Sequence, residues 1–246
     1  MAIRPRISLL LAALLGVLSL SAALPTSAFA SGTIPTNAVG SDISWPQCGG
    51  DAPADRYWFG IIGVTGGHPF SANSCFANQF AWAQATGIPQ LYINLDYGLR
   101  QDGPLSCSTD DKGCQAYNYG FDSAQWARAY ASSQTGGVSD ALGTWWIDVE
   151  TENYWSENVD QNSYVIQGAL DYLQRIAGRT AGVYSTSYMW ALLAGTFAPP
   201  NTPNWVAGAN GLDDTGKCQA AFWPGASVWA YQYLNFDIDL DQDVGC

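Results

Sequence analysis

Eight short apolar runs, separated by helical or turn-rich stretches, constrain the fold of this chain more than any other feature of its sequence. They cover 41–45 (SDISW), 59–65 (FGIIGVT), 91–96 (LYINLD), 143–150 (GTWWIDVE), 181–186 (AGVYST), 204–209 (NWVAGA), 227–234 (SVWAYQYL) and 236–241 (FDIDLD). Several are almost unbroken in apolar residues, the pattern of strands covered on both faces. Helical spacing lies between them. Residues 73–86 stop before Gly87, residues 122–134 follow a capping Asp122, and residues 187–194 stop before Gly195. Residues 162–177 place Ile166, Ala169, Leu170, Leu173 and Ile176 on one face. Alternation of this kind predicts an α/β chain, a single TIM-like (β/α) barrel of eight parallel strands. The barrel is shortened, so its late crossovers must be short or non-helical and its last strands irregular.

The ends and the cysteines set the compartment. Arg4 and Arg6 precede an apolar run at 8–20, and Ala28-Phe29-Ala30 fits a small-x-small cleavage site. Residues 1–30 are therefore expected to be a secretory signal peptide, 31–40 a flexible lead-in, and 41–246 the barrel domain. No later run approaches the roughly 18 apolar residues of a membrane helix. The expected product is secreted and free of the membrane after cleavage. Six cysteines in an exported chain imply three disulfides, with 15 pairings open. We favour Cys107–Cys114 as a local clip, Cys48–Cys75 near the start, and Cys218–Cys246 at the C-terminus. A net charge of −12 repels nucleic-acid phosphates and anionic lipids, which removes both as partners. With no CxxC pair and a single histidine, His68, neither a metal nor another cofactor is expected. The 97–117 stretch, rich in Gly, Pro, Ser and Asp, reads as a long loop closed by its own disulfide.

Chemistry concentrates in "TWWIDVETENYW". Residues i and i+2 of a strand share a face, so Asp148 and Glu150 point together at the end of a barrel strand, where sites on this fold are built. Two carboxyls held close resist double ionisation, which leaves one protonated and able to act as an acid. Cleavage of a glycosidic bond needs such a proton donor. D-x-E is a short pattern, and a solvated strand end would carry it equally well. Asp42, with Ser44 on the same face of the first strand, is costly to bury unless it is hydrogen-bonded or functional. Asp237, Asp239, Asp241 and Asp243 would line one face of a straight strand, an arrangement that calls for a turn, a cation or a polar groove. An EF-hand is excluded, since the glycine and glutamate it needs are missing. Most of the tryptophans are expected in the core. Trp155, Tyr154 and Tyr233 are the expected groove walls, with Asn153 and Tyr184 as further substrate contacts. No G-x-S-x-G elbow appears, His68 reads as a surface-loop residue, and oxidised cysteines offer no thiol nucleophile.

Across nearly all of 41–246 the chain resembles glycoside hydrolase family 25, the bacterial and fungal muramidases. "DISWPQ", with Asp42, Ser44 and Gln47, is similar to the family's opening D-x-S-x-x-Q. "FGIIGVTGG" falls at its second strand, and "WWIDVE" resembles its D-x-E strand. "GVYSTSYMW", "NWVAGA" and "VWAYQY" resemble its G-x-Y, W-x-A and W-Q-Y segments, and "DIDLDQD" falls at its closing D-x-N. The resemblance implies Glu150 as general acid and Asp148 as the group that assists the substrate N-acetyl in attacking C1. It implies Asp42 and Asp239 as supporting carboxylates, retention of configuration and no metal. The chain departs from the family at Gly63 and Gly66, where members carry a basic residue and a glutamate. It departs again at "YINLDYG" and at Asp241, which stands for the final asparagine. The function implied is a hydrolase of β-1,4 bonds in peptidoglycan, with bacterial wall glycan as partner. A non-catalytic secreted glycan-binding protein on the same barrel and a chitinase-like hydrolase remain as alternatives; the latter lacks the extra aspartate, having Trp146 there. Oligomeric state is left open.

Overall fold

The computed structural model describes residues 34–50, 52–53 and 57–246; the expected signal peptide lies outside them. Eight strands close into one barrel in chain order. They are β1 (Val39–Ile43), β2 (Phe59–Gly63), β3 (Pro89–Asn94), β4 (Thr144–Asp148), β5 (Thr180–Ser185), β6 (Asn204–Val206), β7 (Val228–Asn235) and β8 (Leu240–Gly245). Helices α1 (Phe76–Thr86), α2 (Lys112–Thr135), α3 (Val159–Asp171) and α4 (Ser187–Leu193) follow β2, β3, β4 and β5. Between β6 and β7 the chain makes only a 3₁₀ turn, Thr215–Gln219, in keeping with a shortened barrel.

Strand β8 differs from expectation. Neighbours from β1 to β7 run parallel, but β8 is antiparallel to both β7 and β1. The reason is chain length. Only Phe236–Asp239 connect β7 to β8, enough for a hairpin and far short of the dozen or so residues a parallel crossover needs. The expected strand 236–241 is thus a turn followed by a strand. The lead-in also differs. Ile34 and Ala38 are buried, Asn37 N donates to the Gly245 carbonyl at 2.8 Å, and β1 begins at Val39.

Side chains alternate between two cores, as strand geometry requires. Outward-facing Ile62, Leu91, Ile93, Trp145, Ile147 and Val183 meet Phe76, Phe80, Ala124 and Leu170 of the helices. Inward-facing Phe59, Ile61, Trp146, Trp205 and Ala230 close the lower barrel with Ile34 and Ala38. Trp146 Nε1 donates to Gln90 Oε1 at 2.6 Å, which satisfies both polar atoms inside that plug. The three disulfides are Cys48–Cys75, Cys107–Cys114 and Cys218–Cys246, the favoured pairings.

Helix α2 begins ten residues before the expected 122. Asp111, not Asp122, is its N-cap, accepting from Cys114 N at 3.0 Å, and Asp122 instead pairs with Arg100 at 3.0 Å. Lys112-Gly113-Cys114 reads as loop in sequence, but the cap and the adjoining disulfide make it the first turn. Two glycines let α2 and α3 lie against each other. A Cβ on Gly120 would stand 1.9 Å from the Val165 carbonyl oxygen, and one on Gly168 2.1 Å from that of Tyr117. Either substitution therefore forces the helices apart. We predict that Gly120→Ala lowers the melting temperature by on the order of 5 °C, the size expected for overpacking a well-packed contact. An unchanged thermal melt would contradict this helix contact.

Candidate active site

At the C-terminal end of the parallel strands lies a cavity of about 110 Å³ lined by Asp42, Tyr92, Asp148, Glu150, Tyr184, Trp205, Gln232 and Asp241. Strand alternation brings these residues together. Asp42 sits one strand step above Gly40 in β1, and Asp148 is the last residue of β4, opposite Asn94 of β3 and Tyr184 of β5. Glu150 is two residues further on, where the chain leaves the barrel. Its backbone is clamped by the loop that follows: Trp155 Nε1 donates to the Glu150 carbonyl at 2.7 Å, and Asn153 N does so at 3.4 Å.

The carboxyls differ in surroundings. Asp148 is 4% exposed; Asn94 Nδ2 donates to its Oδ2, while its Oδ1 receives no hydrogen bond. Thr65 Oγ1 donates to Asn94 Oδ1 at 2.7 Å and so orients that amide. Burial, and then Glu150 beside it, hold the Asp148 carboxyl well above the ordinary range. Glu150 is half-buried and is pushed from 4.5 up to about 7, by burial first and then by Glu152. Asp42 is pushed to about 8 by burial and by Asp241. A relay fixes Asp42: Tyr184 Oη donates to Gln232 Oε1 at 2.6 Å, and Gln232 Nε2 donates to Asp42 Oδ2 at 2.8 Å. Burial leads, and Asp239 follows, in raising Asp241.

Of the residues expected at the site, Asp42, Asp148, Glu150 and Tyr184 converge on the cavity. Asp239 does not. It lies exposed on the β7–β8 turn with φ 51°, and Asp241 lines the cavity in its place. The turn consumes 236–239, so the inward-facing aspartates of β8 are Asp241 and Asp243, two residues later than expected. Tyr233 is also displaced. It neighbours the inward-facing Gln232, so it points outward, where its Oη donates to Gln242 Oε1 at 2.5 Å. Tyr154 does not line the cavity; it is 70% exposed on the loop after Glu150, with its ring 6.2 Å from that of Tyr97. The Trp155 indole is spent on the Glu150 carbonyl, and Asn153 is half-buried beside it. His68 is on an exposed loop outside the cavity. Among the described residues, no group of three or more His, Cys, Asp or Glu side chains is placed to hold a metal.

Sequence reasoning missed Tyr92, Asn94, Trp205, Gln232 and Asp241. A signal was present in β3, where Gln90, Tyr92 and Asn94 alternate with Leu91 and Ile93. In a barrel whose helices cover the outer face, the polar set must point inward.

Solved structures share this closed eight-stranded barrel. The chain matches a family GH25 lysozyme from Aspergillus fumigatus with a TM-score of 0.61 at 16% identity, over 85% of this chain and 93% of that one. It matches a muramidase from Acremonium alcalophilum with a TM-score of 0.55 at 20% identity, over 85% and 93%. A bacterial lysozyme from Streptomyces coelicolor gives 0.55 at 16% identity, over 85% and 92%. The chain therefore has a fold of the glycoside hydrolase family 25 type. No family model matches it, and no curated protein does.

Raised carboxyl pKa values have a cost for stability with a defined sign. Asp42 and Glu150 bind protons more tightly in the folded state than their ordinary values of 3.8 and 4.5 allow. Between those values and about 8 and 7, the folded state holds more protons than the unfolded one, so stability falls as pH rises through the window. We predict a melting temperature that declines from about pH 4 to about pH 8. In Asp42→Asn part of that decline is removed, so the variant gains on the wild type most at the upper end. A difference between the two that does not vary with pH would contradict the assignment.

Proposed function

We propose that this protein is an exported glycoside hydrolase that cleaves β-1,4 bonds of peptidoglycan in the manner of an N-acetylmuramidase. One observation supports it above the others: Asp148 and Glu150 share a cavity at the C-terminal end of β4, and Glu150, the half-buried member, keeps a proton up to about 7. The fold likeness to structures named lysozymes and muramidases points the same way. So does the N-terminal apolar segment together with three disulfides, which suit an oxidising compartment. Among the described residues, no helix is long and apolar enough to cross a membrane.

In this reading, Glu150 gives its proton to the glycosidic oxygen as the bond to C1 breaks. The carbonyl oxygen of the substrate's own N-acetyl group bonds to C1 from the opposite face, and Asp148 stabilises the nitrogen that becomes positive. Glu150, now a carboxylate, takes a proton from water, which attacks C1 and reopens the ring, so configuration is retained. Asn94 serves by fixing Asp148 so that it faces the substrate nitrogen. Asp42 and Asp241 turn carboxyl oxygens toward the same cavity, close to where the cation develops. Tyr154 and Tyr97 offer aromatic faces for sugar rings.

The test is to incubate the purified protein with bacterial cell walls and, separately, with chitin oligomers, and to follow new reducing ends. We expect release from walls, and a Glu150→Gln variant that keeps its fold but loses turnover by on the order of 10²- to 10⁴-fold. Binding to walls without cleavage by the wild type would favour a non-catalytic glycan-binding protein, and release from chitin alone a chitinase-like enzyme.

A further inference from the structure

One buried carboxyl stands outside the reaction just described. Asp243 lies on β8, in register with Gly40 of β1 and Gln232 of β7, one strand step deeper in the barrel than Asp241. It is 0% exposed. Its Oδ1 accepts a hydrogen bond from Trp205 Nε1 at 2.8 Å, and its Oδ2 receives none. A carboxylate so enclosed with a single donor is badly solvated, whereas a carboxylic acid needs only an acceptor for its proton. Gln232, its neighbour across the ladder, makes no hydrogen bond to it. Its amide N–H goes to Asp42 and its carbonyl accepts from Tyr184. The side chain that faces Asp243 from β1 is Asp42, one strand step above its register partner Gly40, and the two carboxyls act directly on each other.

We infer that Asp243 is a positioning residue whose carboxylic acid O–H donates to Asp42 and, together with Gln232, holds that side chain at the floor of the cleft. The ionisable groups that surround the pair are Tyr92, Asp148, Glu150, Tyr184 and Asp241, all of them acids, and none of the residues lining the cavity is basic. Burial first, then Asp42 and Asp241, keep the Asp243 carboxyl well above the ordinary range. Asp42 thus receives two donors, one from Gln232 and one from Asp243, and cannot rotate away when substrate charge develops above it. No bond to the substrate passes through Asp243.

The effect on turnover rests on the hydrolase reading; the hydrogen bond itself does not. Two variants separate the possibilities. Asp243→Asn keeps the shape, still accepts from Trp205 and still donates to Asp42; Asp243→Leu is similar in volume and donates nothing. On cell walls, the Asn variant should retain kcat within about threefold with an unchanged pH profile, while the Leu variant loses on the order of 10- to 100-fold in kcat with little change in KM. An Asn variant that is folded and as impaired as the Leu variant would overturn the inference. If the Leu variant does not fold, infrared difference spectroscopy decides. At about pH 7, wild type minus Asp243→Asn should show the carbonyl stretch of one protonated carboxyl group, and its absence would overturn the assignment. If the wild type cleaves no wall, the hydrolase reading fails and the infrared band still tests the hydrogen bond.

Discussion

Carboxyl groups enclosed together without a basic side chain beside them set the terms for the rest of this molecule. Asp42, Asp148, Glu150 and Asp241 line one small cavity, and Asp243 lies one step deeper. Like charges at such separations in a poorly solvated space repel strongly, so the cluster can exist only by keeping protons. Burial is the first cause of the upward shift at every one of the five, with neighbouring carboxyls adding to it. The same repulsion that burdens folding makes one group a proton donor near neutral pH. In the proposed reaction Glu150 is the member that uses it, being the one on the chain segment that leaves the barrel after β4.

The scaffold maintains this arrangement by giving each acid a different set of partners. Asn94, oriented by Thr65, is committed to Asp148. Gln232, oriented by Tyr184, is committed to Asp42, and the Trp205 indole to Asp243. Below them the aromatic plug of Phe59, Trp146 and Trp205 fills the lower barrel. Trp155 makes the last connection by anchoring the Glu150 carbonyl, which sets where the acid stands relative to Asp148. Polar residues that look decorative in isolation are, in this geometry, what lets several acids occupy one space.

How much of this was legible in the sequence depended on whether the signal was local. Period-two spacing alone put Asp148 and Glu150 on one face, and near-continuous apolar runs located the strands, because both follow from backbone geometry. The register of β8 was not legible. Asp237, Asp239, Asp241 and Asp243 keep the same alternation when shifted by two, and only the four-residue turn decides that Asp241 and Asp243 face inward while Asp239 is exposed. Tyr233 was misplaced for a related reason: both neighbours of Gln232 are tyrosines, and only the hydrogen bond from Gln232 to Asp42 shows which parity faces the interior. Asn94 was invisible as a partner of Asp148 because 54 residues separate them. The start of α2 was hidden because its first turn carries glycine and a disulfide-bonded cysteine, residues that ordinarily punctuate loops.

Whether Glu150 holds its proton close to neutrality can be observed directly in this chain. The sequence contains only three glutamates, Glu150, Glu152 and Glu157. Labelling glutamate with ¹³C at the side-chain carboxyl gives three resonances, and the one missing in Glu150→Gln belongs to Glu150. Its titration midpoint is predicted at about 7. A midpoint at the ordinary 4.5 would show a solvated, ionised side chain and would contradict the account of Glu150 as the acid.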